Sequence, residues 1–150
     1  MRPGGMALIG WQICREQQAD LSGSQAEEGE RWNSPGQRVI YLSDHPALAA
    51  LELRAHLDLP YEKLVHDHVL MRVALPDDIE DLHDIPEDPR AHGDAWLRES
   101  RSAVLRVPSV IVREARNLLL NPRHKLAAEA RMLACTPFRF DRRLWGGTRG

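Results

Sequence analysis

The stretch from Gly29 to Leu57, GERWNSPGQRVIYLSDHPALAALELRAHL, decides how the rest of the chain is read. Asn33-Ser34-Pro35-Gly36 is turn chemistry, because Pro35 presets φ and Gly36 tolerates positive φ. Val39, Ile40, Tyr41 and Leu42 favour a strand. Asp44 or His45 can cap the helix that follows, with Pro46 tolerated in its first turn. That helix, Pro46 to Leu57, is apolar on nearly every side. Leu48, Leu51 and Ala55 share a stripe at helical spacing, and Glu52 falls on the same stripe. An acid there is paired, protonated or at the edge of a cleft, since an unpaired buried carboxylate is costly. His56, Arg54 and Arg31 are the cations in reach as ion-pair partners. Spacing alone does not separate a structural pair from a site.

Outward from this stretch the chain reads as alternating short elements. Met6 to Cys14 is a first strand ended by Arg15, and Glu16 to Glu30 is a helix fragment plus loop. His68 to Leu75 alternates Val69, Met71, Val73 and Leu75 against Leu70, Arg72 and Ala74, the period of a strand. Residues 76–93 form an acidic, proline-rich surface loop with one helical turn, after which Asp94 caps a short helix through Trp96 and Leu97. Ala103 to Val112 is a strand interrupted at Pro108, which cannot donate to a ladder. Ser109 follows that irregularity, and without a GxSxG elbow it is not read as a hydrolase nucleophile. Its hydroxyl either faces a cleft or satisfies a backbone group at the bulge. Leu118 to Leu120 is another strand, Lys125 to Cys135 an amphipathic helix, and Phe138 to Phe140 a last strand. Six short strands with three or four helices in mixed order give an α+β fold with mixed or antiparallel sheets and flanking helices.

Composition narrows the function classes. The 150 residues, 43% hydrophobic and 28% charged, make one domain with a real core. The first six residues are a loose lead-in, and the last three should fray. A formal charge of −2 excludes the broad basic face of a nucleic-acid binder. The two cysteines make neither a disulfide framework nor a ligand pattern, and the seven histidines include no HExxH, so no metal is expected. No run of some 18 apolar residues and no signal-peptide core is present, which points to the cytoplasm.

Two blocks resemble a known family. Gly29-Glu30-Arg31-Trp32-Asn33-Ser34-Pro35-Gly36, Tyr41 and Ala47-Leu48-Ala49-Ala50-Leu51-Glu52 follow one block of the RES domain, the toxin half of RES–Xre toxin–antitoxin modules. Val107-Pro108-Ser109-Val110-Ile111-Val112, followed by Asn117-Leu118-Leu119-Leu120-Asn121-Pro122-Arg123-His124, follows another. The likeness runs from about Trp11 to Phe140 in the family's order.

The resemblance implies a fold related to ADP-ribosyltransferase toxins and an enzyme that degrades NAD⁺ by cleaving its nicotinamide–ribose bond. Hydrolysis and phosphorolysis both remain open, with NAD⁺ as substrate, inorganic phosphate as a co-substrate in the second case, and no cofactor. It also implies a cognate Xre-type helix-turn-helix antitoxin, which would carry any DNA binding, and leaves homo-oligomers within that complex open. The family's naming Arg, Glu and Ser fall on Arg31, Glu52 and Ser109, the catalytic group. Arg15, Tyr41, Tyr61 and Asn121 are assigned to the substrate. On residue chemistry, Arg31 suits a phosphate, Tyr41 or Tyr61 a flat ring, and Ser109 a ribose hydroxyl or the nicotinamide amide. Glu30 departs from the family's usual glycine, and a position needing positive φ would strain there. A protein-directed ADP-ribosyltransferase and a silent binding module are the other functions the chain admits.

Overall fold

A computed structural model describes residues 8–146; the expected lead-in at residues 1–6 and the fraying end at 148–150 lie outside them. One seven-stranded sheet, in the order β4-β5-β6-β2-β1-β3-β7, carries two α-helices among the described residues. The strands are β1 (Leu8–Arg15), β2 (Ile40–Ser43), β3 (His68–Leu75), β4 (Ile79–Asp81), β5 (Val104–Pro108), β6 (Arg116–Leu120) and β7 (Arg131–Pro137). The helices are α1 (Pro46–His56) and α2 (Pro89–Glu99). Only β4 and β5 run parallel; the other neighbours are antiparallel. The α+β class is therefore the architecture observed. No helix among the described residues is long and apolar enough to cross a membrane.

Both faces of the sheet are covered at β6, which is why its run of leucines is needed. Leu118 and Leu120 join one buried cluster with Leu42, Met71 and Val73, whereas Leu119 joins a second with Trp32, Trp96 and Leu105. Side chains alternate across a strand, so a strand buried on both faces must be apolar throughout. Trp96 is fully buried, and its indole N–H donates to Ser102 Oγ at 2.9 Å, which satisfies the one polar atom the ring carries.

Four readings of the sequence are corrected. Residues 125–135 do not form a helix: Lys125–Glu129 is a short 3₁₀ turn and Arg131–Pro137 is the edge strand β7, paired to β3. Leu126, Ala130 and Leu133 fit a helical stripe, but Met132 and Ala134, on the other parity, pack inward more than exposed Leu133 does. Phe138 to Phe140 is not a strand. Phe138 and Phe140 stack edge-on at 5.1 Å, and Phe140 meets Trp145 at 5.2 Å. The acidic stretch 76–93 holds β4 and the start of α2. Asp94 lies inside α2, whose cap is Asp88, accepting from Ala91 N at 3.1 Å with Pro89 in the first turn.

β4 is anchored by charge. Asp81 accepts from Arg106 at 2.8 Å and from Arg116 at 3.1 Å, and Glu80 is bidentate with Arg101 at 2.9 Å. Hydrogen bonds from Arg106 hold the Asp81 carboxyl below its ordinary range, and those from Arg101 do the same for Glu80. A depressed folded pKa gives stability that is complete above the unfolded value and lost as pH falls through the folded one. The melting temperature should therefore fall as pH drops below about 4, the ordinary carboxylate range. Arg106→Ala should flatten that fall, and an unchanged slope in the variant would remove Asp81 from the account.

Candidate functional site

A cavity of about 950 Å³ opens between α1, the Glu30–Trp32 loop, the β1–β2 part of the sheet and the turn after β5. This is the size range of a site for a drug-sized or nucleotide-sized ligand. Glu52, Arg31, Tyr41 and Asn117 are in its lining.

Helix α1 presents Glu52 to this space. His45 caps the helix, its Nδ1 accepting from Ala47 N at 3.0 Å, while Asp44 accepts from Arg116 N. The expected stripe is rotated: Leu48 and Ala49 are buried, whereas Leu51 is 40% exposed. The expected ion pairs do not form either. His56 Nδ1 bonds the backbone carbonyl of Glu52, and Arg54 reaches Leu144 O and Leu57 O while lying over Trp145 at 4.0 Å. Glu52 Oε2 instead accepts from Ser109 Oγ and from Asn117 Nδ2, both at 2.8 Å. Among the described residues Oε1 has no hydrogen-bond partner, and no cation pairs with the carboxylate.

Ser109 is completely buried, and its hydroxyl is saturated. Oγ accepts from Ile111 N at 3.0 Å and Val112 N at 3.1 Å and donates its one proton to Glu52. The chain turns here because β5 ends at Pro108, so the serine satisfies the turn and holds Glu52 together. It is not among the residues that line the cavity. Val110 and Ile111, in the same turn, are 41% and 39% exposed and give the cavity an apolar rim.

The Arg31 loop is held by Asn33, which is fully buried. Asn33 Nδ2 donates to Ala26 O and Gln37 O at 2.7 Å, and its Oδ1 accepts from Glu30 N at 3.0 Å and Tyr41 OH at 2.7 Å. Trp32 N donates to the Tyr41 hydroxyl in turn. Burial pushes the Tyr41 phenol well above its usual range, so it stays protonated. Its ring lines the cavity while its hydroxyl serves the loop. Arg31 itself is exposed and makes no hydrogen bond or ion pair among the described residues. Arg90, from α2, also lines the cavity and donates to Glu30 O at 3.0 Å. Positive φ falls on Gly29 (96°) and not on Glu30, so the glutamate costs no backbone strain.

The sequence model of the RES domain family matches residues 9–141. The chain belongs to the RES domain family. A RES relative from Sphingobium sp. named "Prs ADP-ribosylating toxin" is 37% identical over 132 residues, covering 76% of this chain and 82% of that protein. "Toxin Res" of Pseudomonas putida is 32% identical, covering 83% of this chain and 92% of the relative. Among solved structures, the M. tuberculosis MbcT–MbcA toxin–antitoxin complex contains a chain with the same fold, at a TM-score of 0.67 and 15% identity, covering 89% of this chain and 85% of that one.

Of the residues assigned from the RES resemblance, Arg31, Glu52 and Tyr41 line one cavity, with Ser109 immediately behind Glu52. The other three lie elsewhere. Arg15 is paired to Asp67 beside a smaller depression of about 300 Å³. Tyr61 packs against Trp145 at 5.5 Å and His66 at 5.7 Å, outside the cavity lining. Asn121 is 1% exposed and caps the turn after β6, its Oδ1 accepting from Arg123 N and its Nδ2 donating to Leu97 O. Sequence reasoning missed Asn117, Asn33, Ser43 and Arg90. For Asn117 a signal existed: a carboxamide at the head of an otherwise apolar strand needs a partner.

Proposed function

We propose that this RES protein is the toxin of a toxin–antitoxin pair and depletes NAD⁺ by cleaving its nicotinamide–ribose bond, with water or inorganic phosphate as acceptor. The observation that carries this reading is the Glu52 carboxylate. It stands in the wall of a nucleotide-sized cavity, held on one oxygen by two neutral donors and, among the described residues, neutralised by no cation. Cleavage sends the bonding pair to the nicotinamide nitrogen, which becomes neutral, and leaves positive charge on the ribose anomeric carbon and ring oxygen. An unpaired, preoriented carboxylate stabilises such charge as it develops, and such preorganised electrostatics is often the largest catalytic contribution. Water then bonds to the anomeric carbon through its oxygen and releases one proton to solvent, whereas phosphate bonds through an anionic oxygen that has no proton to lose.

Arg31 and Arg90 supply the opposite charge on the same lining, where planar guanidinium donors suit a pyrophosphate. The Tyr41 ring and the Val110–Ile111 rim offer flat apolar surface to the heterocycles. Neutralisation falls to a cognate helix-turn-helix antitoxin of the Xre type, a partner in keeping with the relatives that bear toxin names.

The test is NAD⁺ loss by purified, partner-free protein, with and without phosphate, using NAD⁺ labelled in its adenosine moiety. Label confined to ADP-ribose or ADP-ribose 1″-phosphate supports the proposal and names the acceptor. Label entering a polypeptide would replace it with protein ADP-ribosylation, the reading favoured by the name of the Sphingobium relative. Arg31→Ala should raise KM for NAD⁺ by about tenfold, the loss expected for one charge-assisted phosphate contact. An unchanged KM would take Arg31 off the phosphate.

A further inference from the structure

We propose that Asn117 is a positioning residue for Glu52, itself set by Ser43 across the sheet. The inference rests on the reading of Glu52 as the charge-stabilising group. Ser43 and Asn117 are direct partners in the antiparallel β2–β6 register, so their side chains leave the same face side by side. Ser43 is buried, and its hydroxyl donates to Asn117 Oδ1 at 3.1 Å. Asn117 Nδ2 donates to Glu52 Oε2 at 2.8 Å.

The proton inventory permits one arrangement. An ionised carboxylate only accepts, so the amide must turn its NH₂ to Glu52. That leaves Oδ1 toward Ser43, whose hydroxyl must then donate. Ser109 reaches the same Oε2, with both lone pairs already filled by Ile111 N and Val112 N. Two donors anchored on different strand ends thus restrain one carboxylate through a single oxygen, Oε2, and leave Oε1 without a hydrogen bond among the described residues, on a side chain that lines the cavity. Ser109 alone would leave the carboxylate free to pivot about one bond. Catalysis by a fixed charge depends on such restraint, because a carboxylate that reorients loses the advantage of preorganisation.

Asn117 also lines the cavity, so a direct substrate contact is the competing role, and kinetics separates the two. Asn117→Ala should lower kcat for NAD⁺ by about 10²-fold with KM nearly unchanged, the pattern of an interaction realised in the transition state. Ser43→Ala should lower kcat by about tenfold through the same amide, a weaker effect because the amide keeps its place. Added to Glu52→Gln, Asn117→Ala should cost no more than about twofold further, since residues acting as one unit are not additive. A KM rise that carries the whole effect, or full additivity with Glu52→Gln, would overturn the inference.

Asn117→Asp keeps the shape and so covers the case in which Asn117→Ala fails to fold. It swaps the donor for a like charge against Glu52, and activity at the wild-type level would overturn the inference equally. Crystal structures of wild type and Asn117→Ala decide the matter without turnover. Glu52 in one orientation in wild type and several in the variant supports positioning, and one unchanged orientation in both refutes it. A wild-type protein that consumes no NAD⁺ would sink the functional reading while this structural comparison still decides the role of Asn117.

Discussion

Glu52→Gln is expected to lower NAD⁺ turnover by about 10³-fold, the upper range for loss of one preorganised electrostatic group, while leaving the melting temperature almost unmoved. The geometry makes this substitution unusually clean. A glutamine oxygen can take the place of Oε2 and accept from both Ser109 Oγ and Asn117 Nδ2. The opposite placement would set an NH₂ against the Asn117 NH₂, which Ser43 holds in that orientation. The variant therefore keeps both anchoring bonds and puts a neutral amide nitrogen in place of the other carboxylate oxygen. Stopped or continuous assays of NAD⁺ loss would check the rate, and thermal melting the fold. Turnover within tenfold of wild type, in a folded variant, would remove Glu52 from the chemistry.

The second large effect concerns stability, and its sign decides between two principles. Gly93 sits inside α2, where alanine is ordinarily favoured over glycine by about 1 kcal/mol. Propensity alone thus predicts that Gly93→Ala stabilises. A Cβ built at Gly93, however, would lie 1.8 Å from the carbonyl oxygen of Trp32 and 2.8 Å from its carbonyl carbon. That obstacle is backbone, so no rotamer change relieves it. The loop it belongs to is pinned by Asn33 and by Asp94 of the same helix, whose carboxylate accepts from Ser34 N at 2.9 Å and from the Ser34 hydroxyl. Gly93→Ala should destabilise by about 3 kcal/mol, the upper part of the usual range for overpacking, or roughly 10 °C in melting temperature for a domain of this size. Activity should fall as well, because separating α2 from Trp32 displaces the neighbouring Arg31. A urea midpoint at or above that of wild type would show that the helix can retreat at no cost.

The same contact explains one of the misread elements. Asp88-Pro89 is a good helix start, but the glycine four residues on and the proline-rich acid stretch before it read as loop. Gly93 is there because a distant carbonyl needs the space. No local pattern can show a residue chosen for a contact 61 positions away.

The two cysteines lie on β1 and β7, strands separated in the sheet by β3. Both are free, and burial pushes the Cys14 thiol up to about 11, so it packs as an apolar side chain while Cys135 stands exposed on the edge strand.

By itself the sequence determined whatever depended on local periodicity or short-range chemistry. The alternation in β3 matched its burial residue by residue, because a strand with one dry face must repeat every two positions. The turn, strand and helix of residues 33–57 followed from proline, glycine, β-branched residues and a cap close in the chain. The two blocks resembling the RES family placed Arg31, Tyr41 and Glu52, and these do share a cavity. Tertiary structure decided everything that depended on partners far apart in sequence. It made Arg131–Pro137 a strand by supplying β3 as a neighbour, where isolated spacing fitted a helix equally well. It drew Tyr61 and Asn121 away from the cavity into packing and capping roles. It also replaced the cations expected beside Glu52 with a serine 57 residues away and an asparagine 65 residues away. Helical spacing reports which residues share a face, but only the sheet's register reports what that face meets.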